Sequence, residues 1–139
     1  ERIVPFITAS GRAKIAYHRS QGHRVVLISA SIEEQVKPLA YHLGFGQDYL
    51  CTHLAVQNNH YTGELDGMPC YGAGKVHWAR EWAIENDLDF PGTAGYFYSD
   101  SSSDLPLLEL ATHPVAVNPD DALGEIARLR QWPVLDLRG

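Results

Sequence analysis

The sequence predicts an α/β domain with a mainly parallel sheet and a small antiparallel excursion. Three observations carry that expectation. Short apolar runs of strand length alternate with stretches of helical periodicity from Arg24 to Leu137, the pattern of parallel strands joined by crossover helices. The 139 residues suffice for one domain with its own core. Hydrophobic residues make up 45% of the chain and charged residues 20%, the balance of a folded globule rather than a disordered chain. No repeat, linker or low-complexity stretch interrupts it.

The elements follow in order. Residues 8–19 read as a helix that Gly22 ends. His23-Arg24-Val25-Val26-Leu27-Ile28-Ser29 is a short apolar run, which suits a strand buried on both faces. In the next helix, Ser31 stands three residues before Glu34. That is the spacing of a capping box, with the hydroxyl accepting from the Glu34 backbone and the carboxylate reaching back. Val36, Leu39, Ala40 and Leu43 form its buried face and Gly44 its stop. Pro38 kinks this helix or lies in its first turns. Residues 49–56 read as strand. Asn58-Asn59 turns the chain, residues 61–65 return, and Asp66-Gly67 turns it again, which makes the antiparallel excursion. Residues 74–85 form a helix with Val76, Ala79 and Ala83 inward. A strand over 94–99 leads to a short helix over 103–111, with Pro106 in its first turn, where a missing N–H costs little. Residues 115–117 are strand, 121–130 helix and 133–137 the last strand.

Composition excludes several function classes. Eleven basic against 17 acidic residues give a net charge of -6. No basic stripe offsets it, so nucleic acid is not the expected partner. No apolar run approaches the ~20 residues of a membrane span. Cys51 and Cys70 form no Cys-x-x-Cys pair. Two thiols in a domain with a real core point to a reducing, cytoplasmic compartment, with a bridge between them as the alternative. The chain opens at Glu1 without Met, which leaves a mature terminus and the cut end of something longer both open. The seven histidines show no metal-ligand spacing and read as surface or satisfied core residues. Trp78, Trp82 and Trp132 read as packing anchors. Ser29 is no triad serine, because Gly-x-Ser-x-Gly is absent.

Three constellations carry chemistry. In an open α/β sheet, ligands bind beyond the carboxyl ends of the strands. The first strand ends in Ser29-Ala30-Ser31 and enters a helix, offering a hydroxyl, backbone N–H groups and a positive dipole end to a phosphate. The bland alternative is a strand end followed by an N-cap. A later strand ends in Ser99-Asp100-Ser101-Ser102-Ser103-Asp104. Asp100 and Asp104 can converge there as hard oxygen ligands for Mg²⁺; the alternative is a polar turn capping the next helix. Third, Gly72-Ala73-Gly74-Lys75 opens a helix. It is no P-loop: Pro69 replaces the first glycine and Val76 the metal-binding Ser or Thr. Lys75 is then either a surface lysine, mildly unfavourable against the dipole, or a cation placed there for a task.

Taken in order, these features resemble the haloacid dehalogenase superfamily of phosphohydrolases, and more closely its phosphoserine-phosphatase-like branch. Residues 22–31 are similar to its second motif and Lys75 to its third. Residues 98–108, followed by Val115-Ala116-Val117-Asn118-Pro119-Asp120, are similar to its fourth. The resemblance covers essentially the whole chain. It implies a Rossmann-like three-layer α/β/α core over residues 1–139, with residues 1–20 as the end of an inserted cap and its return helix. The family's first motif, Asp-x-Asp at a strand end, supplies the nucleophile. Asp87-Leu88-Asp89 mimics it but follows a helix, and is rejected because the motif requires its strand. The first motif is therefore expected upstream of this chain.

The resemblance implies a Mg²⁺-dependent phosphomonoester phosphatase acting through an aspartyl-phosphate. Asp100 would be this chain's metal ligand and Asp104 an outer-shell group. Ser29 and the Ala30 N–H would bind phosphoryl oxygens. Lys75 would hold the nucleophile and offset transition-state charge. Ser103 departs from the branch's usual Asn and receives no role. The substrate would be a small phosphorylated molecule; its identity and the oligomeric state are not legible. The competing class is a catalytically silent Rossmann-like binding or scaffolding module that retains the anion site.

Overall fold

The computed structural model describes residues 9–90 and 95–136. Its elements are α1 (Ala9–Ser20), β1 (Leu27–Ile32), α2 (Glu33–His42), β2 (Tyr49–Thr52), β3 (Leu54–Gln57), β4 (His60–Leu65), α3 (Ala73–Glu85), β5 (Tyr96–Ser99), a 3₁₀ turn (Ser102–Asp104), α4 (Leu105–Leu110), β6 (His113–Val117), α5 (Asp121–Arg130) and β7 (Val134–Leu135). β1 pairs in parallel with β2, and β5, β6 and β7 form a parallel three-stranded sheet. β3 and β4 form the antiparallel excursion. Its two-residue turn places Asn58 and Asn59 at φ 53° and 64°, the twist a tight hairpin requires. Thr8, Ala94 and Leu137, expected at element ends, lie outside the described residues.

Four helices end alike. The N–H of His23 reaches His18 O, Phe45 reaches Ala40 O, Leu88 reaches Ala83 O and Trp132 reaches Ala127 O. Each is the long bond of a Schellman motif, closed by a left-handed residue at Gly22, Gly44, Asp87 and Gln131 respectively. The main core lies between α4, β6 and α5. Leu108, Ala116, Leu123 and Ala127 are fully buried there, with Phe97 and Trp132 packed against them.

The structure revises four sequence expectations. β1 begins at Leu27, not His23, because its ladder starts where Leu27 meets Tyr49. It is half-buried rather than buried on both faces. The strand expected over 49–56 breaks at His53, so that β2 joins β1 while β3 turns away to pair β4. The capping box does not form: Ser31 stays in β1, and Ile32 caps α2 with no side-chain bond. The return of Ile32 to the ladder opposite Thr52 keeps Ser31 extended, one residue too early to cap. Pro38 lies inside α2, on its exposed side.

Candidate functional site

The site is built where three chain segments meet. The first is the entry to α3. The backbone folds tightly there: Tyr71 N–H donates to Pro69 O, and Gly74 N–H to Tyr71 O. A Cβ on Gly74 would lie 1.9 Å from the Pro69 carbonyl oxygen, so only glycine fits. This turn aims Lys75 inward. Lys75 is 8% exposed, which removes the surface-lysine alternative. Its Nζ lies 2.8 Å from Asp104 Oδ1. That contact is a charge pair without hydrogen-bond alignment, since Oδ1 has no well-aligned donor.

The second segment is the loop after β5. Ser99 Oγ donates to Asp104 Oδ2 at 2.6 Å and accepts from Ser101 N–H at 3.1 Å. Asp104 is itself buried. The expected polar turn also exists: Ser101 Oγ accepts from Ser103 N–H. Cap and carboxylate–lysine pair therefore coexist in this loop. Asp100 follows the last residue of β5 and is exposed. Its carboxylate makes no hydrogen bond or ion pair with the described residues. Asp120, at the start of α5, accepts from Ser102 N–H and Oγ through Oδ2 and from Leu123 N–H through Oδ1. Those donors, Ser102 N–H foremost, hold its carboxyl below the usual carboxylate range.

The third segment is β1. Its register is regular to Ile28↔Leu50 and resumes at Ile32↔Thr52. Ser29, Ala30 and Ser31 form a bulge of the kind that re-aims groups at a sheet edge. Ser29 Oγ accepts from Ser31 N–H at 3.1 Å, which leaves its own proton to donate. Thr52 Oγ1 ties the bulge down, donating to Ala30 O and accepting from Cys70 N–H. The Cys70 thiol is fully buried. Burial pushes it up to about 11, against the opposing pull of Lys75 and of the Ser29 backbone N–H. Thr52 thus ties the β1 bulge to Cys70, five residues before Lys75 in the chain.

Lys75, Asp104 and the loop bearing Asp100 come together through these contacts, and the bulge that carries Ser29 is tied through Thr52 to Cys70, five residues before Lys75. Asp87 and Asp89 do not join them. Asp87 closes the Schellman turn at the far end of α3, a helix of 13 residues, roughly 20 Å long at 1.5 Å per residue. Cys51 and Cys70 are free thiols. Among the histidines, His18 is buried, with one ring nitrogen on His23 and the other on the Tyr98 hydroxyl. Sequence reasoning gave Ser99, Cys70, Thr52 and Asp120 no role. Only Asp120 left a signal, as an acidic N-cap three residues before Leu123. A cleft of about 140 Å³ between β2 and α3, lined by Tyr49, His53, Trp78 and Trp82 among others, includes none of the sequence-derived site residues. Among the described residues, no three or more His, Cys, Asp and Glu side chains gather as metal ligands, and no helix is long and apolar enough to cross a membrane.

Comparison with known proteins gives this arrangement a context. The model of the haloacid dehalogenase-like hydrolases matches residues 1–109. A probable phosphatase of Mycobacterium tuberculosis is 41% identical over 133 residues, which are 96% of this chain and 45% of that protein. The histidinol-phosphatase of Neisseria meningitidis is 36% identical over 141 residues, covering 99% of this chain and 63% of its own. The chain therefore spans between about half and two thirds of these relatives. A Bordetella pertussis protein of unknown function superposes with a TM-score of 0.89 at 35% identity, over 97% of this chain and 60% of its own. A phosphoserine phosphatase in its apo form shares the Rossmann-like α/β fold at a TM-score of 0.70 and 18% identity, over 93% of this chain and 60% of its own.

Proposed function

The chain belongs to the haloacid dehalogenase-like hydrolase family, and from that premise we propose that the whole protein is a Mg²⁺-dependent phosphomonoester phosphatase. The observation that carries the reading is the buried Lys75–Asp104 pair at the entry of α3, beside the strand end that bears Asp100. A lysine and a carboxylate both less than a tenth exposed are costly to desolvate. A centre that must neutralise phosphate charge gives that cost a purpose.

In this reading an aspartate outside this chain attacks phosphorus and forms an aspartyl-phosphate as the ester P–O bond breaks and the substrate alcohol leaves; water then releases inorganic phosphate and returns the carboxylate. Its strand would lie between β1 and β5; among the described residues these pair only with β2 and β6. Helix α1 would lead back to the core from an inserted cap. Lys75 offsets charge on the transferring group. Asp104, held by Ser99, fixes the ammonium. The Ser29 hydroxyl and the Ala30 N–H bind phosphoryl oxygens. Asp100 would hold Mg²⁺, and a single free carboxylate fits an ion that takes its remaining ligands from other groups, water and substrate phosphate. The bound ion would neutralise phosphate charge and orient the displacement.

The substrate class is a small phosphomonoester, with histidinol phosphate and phosphoserine the first to test. The experiment is phosphate release by the full-length protein from these two and from an aryl phosphate, with Mg²⁺, with chelator and after Mg²⁺ is restored. Metal-restored turnover is expected. Phosphate binding without turnover on any of the three would instead favour the silent anion-binding module.

A further inference from the structure

The carboxylate of Asp100 makes no hydrogen bond or ion pair with the described residues, so its backbone sets where it can reach. That backbone is gripped from a different element. Asp120 N–H donates to Asp100 O at 2.9 Å, while Asp120 Oδ2 accepts from Ser102 N–H at 3.0 Å and Ser102 Oγ at 3.3 Å. One residue therefore holds the loop on both sides of Ser101. Asp120 is itself anchored to α5. Its Oδ1 caps α5 through Leu123 N–H at 2.7 Å, Leu123 is fully buried, and β6 runs in register with β5 up to Ser99↔Ala116. Asn118, at φ 42°, and the ring-fixed Pro119 turn the chain back so that Asp120 faces the β5 loop. A helix cap needs only Oδ1; the second oxygen and the backbone N–H are spent on the Asp100–Ser102 loop.

We propose that Asp120 is the positioning residue that presents Asp100, clamping the loop after β5 from the start of α5. The metal consequence rests on the phosphatase reading above; the clamp itself does not. Asp120→Asn separates the two functions. Asn is as good an N-cap as Asp, but it has one oxygen for the Leu123 N–H and the two Ser102 donors, and turns an NH₂ toward whichever side the oxygen leaves. Ser102→Pro breaks the same bond from the opposite side. Ser101 is extended at φ -121° and ψ 135°, as a residue before proline must be, and Ser102 opens its 3₁₀ turn, where proline fits.

The test uses the full-length protein. Hydrogen exchange at the backbone amides of Asp100 to Asp104 is followed without metal, and binding of Mg²⁺ alone by calorimetry. Both variants should keep a melting temperature within about 2 °C of the parent. The amides that remain in the loop (Ser102→Pro has none at 102) should exchange at least about tenfold faster. Mg²⁺ affinity should fall about 10- to 100-fold, as for lost support of a ligand, and the double variant should fall no further. Unchanged exchange and unchanged Mg²⁺ affinity in both variants would overturn the proposal. Should Asp120→Asn fail to fold, Ser102→Pro decides alone. If the parent protein binds no Mg²⁺, the phosphatase reading fails, and loop exchange still decides whether the clamp exists.

Discussion

Ser29 and Ser99 are built alike and used differently. Each stands in a strand, and each hydroxyl oxygen accepts from the N–H two residues on at 3.1 Å. Ser99 is 7% exposed and spends its proton on Asp104. Ser29 is half-buried and its proton has no acceptor among the described residues. The difference lies in the surroundings. The loop after β5 is held by Lys75, Ser99 and Asp120, which come from three other elements. The β1 bulge is tied by Thr52, whose hydroxyl also accepts from Cys70 N–H. One half of the site is a fixed electrostatic frame; the other is an open donor surface of the kind a phosphate can enter.

Loss of the buried ion pair in the frame should cost the most. Lys75→Met leaves the Asp104 carboxylate buried without its cation and should cost about 3–5 kcal/mol of stability. Adding Asp104→Leu should return most of it, because the uncompensated charge is then gone. Denaturant melts of the single and double variants check this; a single variant as stable as the parent would show that the pair is not buried in solution. Gly74→Ala comes next. Its methyl group has no space against the Pro69 carbonyl, and the forced shift should cost about 1–3 kcal/mol and move the Lys75 ammonium. The same melts read it.

The two serines then give the sharpest contrast. Ser99→Ala removes a hydrogen bond to a charged group, worth about 1.5–3 kcal/mol. Ser29→Ala should change stability by no more than about 0.5 kcal/mol and show its effect only as weaker binding of inorganic phosphate to the full-length protein. Equal destabilisation by the two would erase the distinction between frame and donor surface.

The smallest effect is at α1. Burial, followed by the charges of His23 and Lys14, lowers the His18 pKa below 6.5. The folded state thus binds fewer protons than the unfolded chain. His18 costs no stability above pH 6.5, and stability falls as the pH drops from there toward its lowered folded value. The melting temperature of the parent should fall more between pH 7.5 and pH 5.5 than that of His18→Gln; parallel falls would reject the assignment.

Legibility in the sequence followed how local each signal was. Helix α5 was readable to the residue, because its acidic N-cap and its Leu123–Ala127 face are local features. The hairpin was readable from Asn58-Asn59. The break at His53 was not, since residues 49–56 are uniformly strand-prone and only the choice of partner separates β2 from β3. Ser31 carried a good capping signal that the β1 bulge overrode. At the site, Lys75, Asp100 and Asp104 were legible as residues through motif order, but the burial of Lys75 was not. It depends on Gly74 passing close to Pro69 and on a carboxylate distant in sequence. Cys70 acts through its backbone N–H and Thr52 through a hydroxyl that binds backbone groups, and neither leaves a sequence pattern.

The proposed role of the frame is to present Asp100 as the metal-holding carboxylate of a phosphatase. Its most direct test is Mg²⁺-dependent turnover of the full-length Asp100→Asn variant beside its melting temperature. Because this carboxylate makes no hydrogen bond or ion pair with the described residues, the melting temperature should stay at the parent value, while turnover falls by at least about 100-fold. Near-normal Mg²⁺-dependent turnover in a folded Asp100→Asn protein would contradict the account and return the loop from Asp100 to Asp104 to a polar turn.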